Sequence, residues 1–294
     1  MSIGLDTLHA EIDRLASPGA DPAEEEARRA VTLLLDALAR GDVRSAEPGP
    51  GPAGWHAVPW VKLGILLAFR TGVTREYLPY PPHENSDFDG STIQFFDKDT
   101  LPLRDTHGVE ENVRIVPGGT SIRAGAYVGP GVILMPPAFV NIGAYVDEGA
   151  MIDSHALVGS CAQIGKRVHL SAGAQLGGVL EPVGLRPVIV EDDAMIGGNT
   201  GVFEGTLIGR RAVLAPGVQL TRSTAVYDLV RETVYRATED EPLSIPEGAV
   251  VVPGSRPAGG SFAKDLGLTL YAPVIVKYRD ERTDAATALE EALR

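Results

Sequence analysis

Four side chains in the middle of the chain could take part in chemistry. Asp153, His155 and His169 could transfer protons, and the thiol of Cys161 could carry an acyl group. A carboxylate or an imidazole can remove a proton from an amine before that amine attacks a carbonyl carbon. Asp153 follows an aliphatic residue, Ile152, that belongs to a buried pattern, so we expect its side chain at the outer surface. The competing interpretation is a turn aspartate that bonds its own backbone.

The histidines and the cysteine have plainer interpretations as well. His169 precedes the aliphatic Leu170, so its side chain can point outward, and a structural or substrate-lining role is favoured over catalysis. Cys161 lies in Gly-Ser-Cys-Ala without an obvious activating partner, which indicates a small wall residue rather than an acyl carrier. A single cysteine cannot form an internal disulfide, which is typical of a reducing compartment.

A six-residue repeat must position these side chains. A helical period of 3.6 residues cannot keep a six-residue spacing on one face, whereas short strands separated by turns can. The repeat therefore predicts a mainly β protein, a parallel β-helix whose coils pair at about 4.8 Å. The aliphatic positions are Val116, Ile122, Val128, Leu134, Val140, Val146, Ile152, Val158, Ile164, Leu170 and Leu176, and, after a break at Glu181–Pro187, Val190, Ile196, Val202, Ile208, Leu214 and Leu220.

The region before the repeat, residues 1–110, is predicted to be a helical domain. Asp21-Pro22-Ala23-Glu24 has the pattern of a capping box, and Gly41 is the expected end of the helix that follows. Val58–Phe69 is a second amphipathic segment. The stretches Pro48–Gly54 and Pro79–Gly90 are rich in proline or glycine and are predicted to be loops.

The β-helix is predicted for residues 111–256 and a small strand and helix extension for 257–294. Within and after it we expect an excursion at Tyr227–Pro242, a last partial coil at Ile245–Val252, strands in Leu268–Arg279 and an amphipathic helix at Thr283–Arg294. The terminal pieces would cover the ends of the solenoid against edge pairing.

The composition excludes some classes of binding partner. The formal net charge of −13 without a Lys/Arg run argues against a nucleic-acid partner. No apolar stretch is long enough to span a bilayer, and no signal peptide is evident at the first residues, so no membrane partner and a cytoplasmic location are expected. A site for an anionic substrate must therefore be built from individual Arg or Lys side chains or backbone N–H groups.

Several motifs resemble the tetrahydrodipicolinate N-succinyltransferases, a family of hexapeptide-repeat acyltransferases. They are Arg114-Ile115-Val116-Pro117, LMPPAFVNIGAYVDEGAMIDS (134–154), VGSCAQIGKRVHLS (158–171), GGVLEP (177–182), VVVPGS (250–255) and LYAPVIVK (270–277), with Trp60-Val61-Lys62 and Phe96-Asp97-Lys98 before the repeat. The resemblance implies a left-handed β-helix of three-sided coils, although the general rule for parallel crossovers favours right-handed connections. It also implies succinyl transfer from succinyl-CoA to the amine of 2-amino-6-oxopimelate, the open-chain form of tetrahydrodipicolinate.

The resemblance assigns roles to particular residues. The acceptor is a dicarboxylate, and Arg114 matches the family's substrate-binding arginine, against the alternative of a solvated charge at the solenoid entrance. Asp153 matches the family's substrate-binding aspartate and is the first candidate to bind or deprotonate the amine. Backbone N–H groups would stabilise the oxyanion.

The chain departs from the family in three places. His155 stands where many members have Trp, so it could reshape the acceptor pocket or join the acid–base chemistry. Gly201 stands where many members have a Glu, and Glu204 could compensate as a second catalytic carboxylate. The Pro79–Gly90 loop has no match in the family pattern.

The sequence contains no recognisable phosphate-binding loop for the acyl-CoA. We expect its pantetheine arm along small corners at Gly197, Gly198 and Ala215, with Lys264 or Lys277 near the phosphates. No tightly bound cofactor and no metal are expected. By resemblance the partner is a second and third copy of the chain, a homotrimer with sites between neighbours.

Three alternatives stay open. One is the same scaffold with acetyl-CoA or a different amino-dicarboxylate acceptor. Another is a zinc β-helix like a carbonic anhydrase, which needs three convergent histidines where the repeat has only His155 and His169. The last is a non-catalytic solenoid used for assembly.

Overall fold

The computed structural model describes residues 4–49, 54–77, 95–239 and 241–280. The helices are α1 (Leu5–Ala16), α2 (Glu24–Arg40), α3 (Pro59–Thr71) and a short α4 (Ser261–Asp265). Two hairpins accompany the first three helices, pairing Ala46–Pro48 with Trp55–Ala57 and Thr74–Tyr77 with Phe95–Lys98. No described helix is long and apolar enough to cross a membrane.

The repeat folds into a three-sided parallel solenoid, as predicted. Face A contains Ser121–Ile122, Phe139–Val140, Leu157–Val158, Gln175–Leu176, Gly201–Val202 and Gln219–Leu220. Face B contains Tyr127–Val128, Tyr145–Val146, Gln163–Ile164, Ile189–Val190, Leu207–Ile208 and Ser244–Ile245. Face C contains Arg114–Ile115, Ile133–Leu134, Met151–Ile152, His169–Leu170, Met195–Ile196, Val213–Leu214 and Ala249–Val252, and it is extended by Val274–Tyr278, Val226–Asp228 and Thr233–Tyr235.

Burial follows the six-residue step. In each two-residue strand from Ser121–Ile122 to Gln219–Leu220, the second residue is buried in one continuous core. The first residue therefore lies on the outer side of its face, because successive side chains in a strand point to opposite sides. The repeat period thus decides which residues are inside and which are presented to ligands.

Tight turns close the corners between faces. In the turn at 153–156, Ala156 N donates to Asp153 O at 3.1 Å, and the third residue has a φ of 61°. A type II turn requires a positive φ at this position, which favours glycine. Equivalent corners do carry glycine, for example Gly143 and Gly173, whereas Cys161 and Asn199 adopt the same left-handed conformation with side chains.

One prediction about the repeat is wrong at its first step. Ile115, rather than Val116, lies opposite Leu134. The cause is an extra residue in the corner before Ile122, where Gly118 and Gly119 both have positive φ values (142° and 94°). Glycine tolerates such angles, so the corner can accept the insertion.

The predicted capping box is also wrong. Helix α2 begins at Glu24 with Ala23 as its N-cap, and no side chain caps it. Glu24 instead accepts a bond from Arg28 Nε at 2.8 Å, and Pro22 lies outside the helix. The end at Gly41 is confirmed, because this residue is the left-handed C-cap with a φ of 76°.

The other flanking elements largely agree with the predictions. Helix α3 covers the predicted amphipathic segment, and the excursion after Leu220 is an antiparallel hairpin. The last coil is present, and Val274–Tyr278 pairs with it and covers its edge. Part of the predicted loop Pro48–Gly54, the loop Pro79–Gly90 and the helix Thr283–Arg294 lie outside the described residues, although Pro48 itself belongs to a strand.

We expect the inward column to dominate stability. Leu170 is fully buried, and Leu170→Ala should lower the free energy of unfolding by about 2–5 kcal/mol because it leaves a cavity in the solenoid. Urea denaturation followed by circular dichroism measures this loss. Leu229→Ala, the same truncation at a side chain that is 67% exposed, should change stability far less. Equal losses for the two variants would contradict the inward assignment.

Candidate functional site

The three corner columns of the solenoid differ in chemistry, and this difference locates the candidate site. The A/B corner is mostly apolar in the early coils, the B/C corner is charged, and the C/A corner is built almost entirely from small uncharged residues. Each column is formed by one turn per coil, stacked along the solenoid axis.

The A/B corner is covered by the helical region. Ile142 and Cys161, both on this corner, are fully buried in the same cluster as Ile65 of helix α3. Burial raises the pKa of the Cys161 thiol to about 11, so the thiol stays protonated near neutral pH. This agrees with a wall residue rather than an acyl carrier.

The B/C corner is a ladder of ion pairs. Arg167 makes a two-pronged contact with the Asp193 carboxylate at 2.7 and 2.9 Å, and Lys166 pairs with Glu148 at 3.1 Å. The Arg167 guanidinium holds the pKa of Asp193 below its usual value. These charges are partly or largely exposed, so this corner is a solvated surface with its charges already compensated.

The C/A corner contains the candidate site. Its described turns are the longer corner 116–120 (VPGGT) and 135–138 (MPPA), 153–156 (DSHA), 171–174 (SAGA), 197–200 (GGNT) and 215–218 (APGV). Among these turns only 153–156 carries titratable side chains, Asp153 and His155. An uncharged column of small residues leaves room for a ligand, and one turn in it supplies a carboxylate and an imidazole.

One carboxylate oxygen of Asp153 accepts a hydrogen bond within its own turn. Its Oδ1 accepts a bond from Ser154 N at 2.7 Å, which is the turn role weighed in the sequence analysis. Asn141 and Asp147 make the same contact in other turns, at 2.9 and 2.8 Å. The side chain of Asp153 remains partly exposed, so this contact leaves the second carboxylate oxygen for another role.

His155 is exposed and its backbone is fixed at two points. Its N–H donates to Pro137 O at 2.6 Å, and its carbonyl accepts from Gln175 Nε2 at 3.1 Å. Histidine is among the residues that tolerate a left-handed backbone better than most. The imidazole is therefore presented from a rigid turn, two residues from Asp153.

Arg114 lies on face C, two coils before the coil that contains Asp153. It is exposed and occupies the outward position that Ile133 and Met151 occupy in the next two coils. Two strand spacings, about 10 Å along the axis, separate Arg114 from Met151, and Asp153 follows Met151 by two residues. The structure thus places the predicted guanidinium and the predicted carboxylate along one side of the solenoid.

The predicted donor residues share the corner of Asp153. The N–H groups of Gly197 and Ala215 are used in the ladder between coils, donating to Leu214 O and Val251 O at 2.8 Å each. The N–H of Gly198 has no partner among the described residues, since Gly197 offers no side chain to accept it. The N–H of Ala172, at the equivalent position of the preceding coil, has no partner among the described residues either, so Gly198 and Ala172 both offer a donor that an incoming ligand could use.

Gly201 is covered by its neighbours. A Cβ at this position would lie 2.2 Å from Gln219 Oε1 and 2.4 Å from the Phe203 ring, and a Cβ at Gly177 would lie 2.7 Å from the same ring. The phenyl ring of Phe203 thus packs over the backbone of two glycines on neighbouring coils. A carboxylate side chain at position 201 could enter only if Phe203 and Gln219 moved.

Within one chain, Glu204 and Asp153 lie on different corners of the solenoid. Glu204 is exposed on the A/B corner, and its Oε2 accepts a bond from Arg222 N at 2.6 Å. It lines a cleft with Phe203, Thr221 and Arg222 beside the inserted loop. Any shared role for Glu204 and Asp153 therefore needs two copies of the chain.

The remaining predicted residues are spread out. His169 lies on the outer side of face C, in register between Met151 and Met195. Lys264 is in α4, where it lines a cleft with Pro257 and Thr269, and Lys277 pairs with Asp280 at 3.3 Å. No described set of three or more His, Cys, Asp and Glu side chains is arranged to hold a metal ion.

Sequence reasoning missed the residues that hold the corners. Gln175 and Gln219 occupy equivalent outward positions on face A, and each donates to a corner carbonyl of the preceding coil, His155 O and Asn199 O. The sequence signal for these residues was a glutamine directly before the inward aliphatic residue in two different coils. Phe203 gave a weaker signal, as an aromatic residue beside Gly201.

The solenoid of six-residue steps and the family matches together place the chain among the hexapeptide-repeat acyltransferases of the left-handed parallel β-helix class. The model "Hexapeptide repeat of succinyl-transferase" matches residues 187–222, and "Tetrahydrodipicolinate N-succinyltransferase N-terminal" matches residues 7–71. The chain belongs to the 2,3,4,5-tetrahydropyridine-2,6-dicarboxylate N-succinyltransferase family, which confirms the resemblance.

Relatives that bear this family name support the assignment over nearly the whole chain. One from Aromatoleum aromaticum is 42% identical over 95% of this chain and 93% of its own length. Another from Alkalilimnicola ehrlichii is 44% identical over 95% of this chain and 93% of its own. A third, from Coxiella burnetii, is 40% identical over 93% of this chain and 92% of its own.

Proposed function

We propose that the protein transfers the succinyl group of succinyl-CoA to the amine of 2-amino-6-oxopimelate, the open-chain form of tetrahydrodipicolinate, in lysine and diaminopimelate biosynthesis. The observation that carries the proposal is the chemistry of the C/A corner. Among its described turns, only the one with Asp153 and His155 has titratable side chains, and the others consist of uncharged residues. Membership in the family supplies the reaction.

Arg114 would bind a carboxylate of the acceptor and Asp153 its amine. An extended seven-carbon dicarboxylate and an arginine side chain together can span the two strand spacings between the coils that carry them. The carboxylate of Asp153 would accept a proton from the ammonium, which gives a neutral amine nucleophile. His155, on the same turn, would line the acceptor pocket.

The free amine would then attack the thioester carbonyl. A C–N bond forms and the carbonyl oxygen becomes an oxyanion. Its collapse breaks the C–S bond, and a proton from the attacking nitrogen passes to the departing sulfur, which releases the thiol of CoA and the succinylated product. Asp153 then returns its proton to solvent. Backbone N–H groups of the small-residue corner would stabilise the oxyanion. The N–H groups of Gly198 and Ala172 are available to hydrogen-bond the acyl-CoA. Gly197 and Ala215 would leave space for its pantetheine arm.

We also infer that the working form is a homotrimer in the cytoplasm. Glu204 and Asp153 lie on different corners of one chain, so Glu204 could serve as a second catalytic carboxylate only from a neighbouring copy. A closed ring of three copies places the same pair of corners at each of three interfaces.

One observation favours a second candidate, the same reaction with acetyl-CoA. The described turns of the C/A corner contain no Lys or Arg that could bind the carboxylate of a succinyl group, and Phe203 fills the space beside Gly201. An acetyl group has no carboxylate to bind.

A donor comparison tests the proposal. The purified chain is given tetrahydrodipicolinate and either succinyl-CoA or acetyl-CoA, and release of free thiol is followed under initial-rate conditions. We expect a higher kcat/KM with succinyl-CoA. A clear preference for acetyl-CoA would support the second candidate, and no thiol release with either donor would favour a scaffold without catalysis.

A further inference from the structure

The loop inserted between face A and face B of one coil is anchored from inside the protein. It runs from Gly177 to Val188, and Leu180 packs against the helical core. Arg186 is buried, and its Nε donates to Gly205 O at 3.1 Å. A turn within the loop is closed by Leu185 N donating to Pro182 O at 2.9 Å. The loop is thus a fixed part of the surface.

A buried amine makes a further anchor. Lys62 of helix α3 is 0% exposed, and its Nζ donates to the carbonyl of Leu185 at the far end of the loop. Among the described residues this carbonyl is the one hydrogen-bond acceptor of the amine. The neighbouring Cys161 thiol is protonated near neutral pH and supplies no countercharge.

Burying the Lys62 ammonium costs free energy, which indicates that its hydrogen bond to Leu185 O has a role in the structure. Desolvation lowers the pKa of Lys62, because a buried ammonium loses its hydration. An apolar side chain of similar length would fill the same space without that penalty. The feature that an apolar side chain would lack is the bond to Leu185 O.

The opposite side of the loop forms a cleft. Glu181 and Leu185 line it together with Phe203, Glu204 and Arg222. The carbonyl of Leu185 is therefore held from the protein interior while its residue forms one wall of the cleft. Any shift of this peptide unit would change the distance between the loop and Glu204.

We propose that Lys62 is a positioning residue for the acyl-transfer site: by holding Leu185 O it fixes the inserted loop opposite Glu204. This inference rests on the proposed function, in which Glu204 takes part. Lys62 is fully buried, so it would act on the site through the loop and not by contact with substrate. It acts from the helical region, so the N-terminal domain contributes to the geometry of a cleft on the solenoid.

The test uses Lys62→Met in the full chain, with two readouts. Loss of a charged hydrogen bond should increase amide exchange of the peptides covering residues 178–187 by about 10- to 100-fold, with exchange elsewhere unchanged. The KM for the acyl-CoA or the kcat should change by at least several-fold. Lys62→Gln, which keeps a donor, should restore part of the protection, and it replaces the Met variant if that one fails to fold.

Lys98→Met is the matched control. Lys98 Nζ also donates to a backbone carbonyl, Gly72 O at 3.0 Å, but away from the inserted loop. Its removal should leave exchange in residues 178–187 unchanged. Unchanged loop exchange in Lys62→Met, or raised loop exchange with unaltered kinetic constants, would overturn the proposal. Faster loop exchange in Lys62→Met, together with no acyl transfer by the unaltered protein, would instead refute the proposed function while leaving the anchor intact.

Discussion

Asp153→Asn should lower kcat by about 10²- to 10⁴-fold, the usual contribution of a positioned proton acceptor. Asparagine cannot accept the proton of the ammonium group, so the amine would remain a poor nucleophile. Initial rates of thiol release at saturating acceptor and donor measure the effect.

The fold should survive this substitution. Asparagine keeps the Oδ1 acceptor for Ser154 N, and Asn141 already makes the same contact in an equivalent position of another turn. We therefore expect the midpoint of thermal unfolding to stay close to that of the unaltered protein. A change in activity can then be assigned to the missing carboxylate.

Asp147→Asn is the matched control. Asp147 bonds the next backbone N–H of its turn in the same way, at 2.8 Å, but lies on the charged B/C corner. Its substitution should leave kcat within about twofold, because surface charge changes have small effects. If Asp153→Asn retained full activity, Asp153 would be reduced to a turn residue and the site would have to be sought elsewhere.

Arg114→Ala should raise the KM for the amino-dicarboxylate by about 10- to 100-fold, the loss expected for charge-assisted hydrogen bonds to a carboxylate. The KM for the acyl-CoA should change little, since Arg114 lies near the start of the solenoid and the predicted donor corner lies several coils further along. Steady-state kinetics with each substrate varied in turn separates the two constants.

Two further variants sharpen the result for Arg114. Arg114→Lys keeps the charge but not the planar fork, so it should recover only part of the affinity. Arg40→Ala removes another exposed arginine, one that pairs with Asp42 in the helical region, and should have no effect on either KM. An unchanged acceptor KM in Arg114→Ala would identify Arg114 as a solvated charge.

The solenoid could be predicted from the sequence because one physical rule governs it. Each inward position must be filled by an aliphatic residue, so the period of six predicts both the strands and the direction of each side chain. The prediction failed at Val116, since two glycines in one corner allow an extra residue that the hydrophobic pattern does not reveal. Helix α1 lies inside the predicted helical region but was not named as a segment, although Leu8, Ile12 and Leu15 have the spacing of a buried helix face.

The candidate site was less predictable. The repeat places Asp153, His155 and Gly198 in turns between strands, but it does not show that these turns share a corner, because that requires knowing how turns stack in three dimensions. The separation of Glu204 from Asp153 likewise depends on which corner each turn forms. The bond from Lys62 to Leu185 joins residues 123 positions apart, and no local pattern indicates it.

Succinyl transfer to an amino-dicarboxylate at the Asp153 corner is tested most directly by the mass of the product. The unaltered chain and Asp153→Asn are each incubated with tetrahydrodipicolinate and succinyl-CoA, and the small molecules are analysed by mass spectrometry. We predict an N-succinylated acceptor from the unaltered chain and a strongly reduced amount from the variant. An unmodified acceptor in both samples, or equal amounts of product in both, would contradict the account.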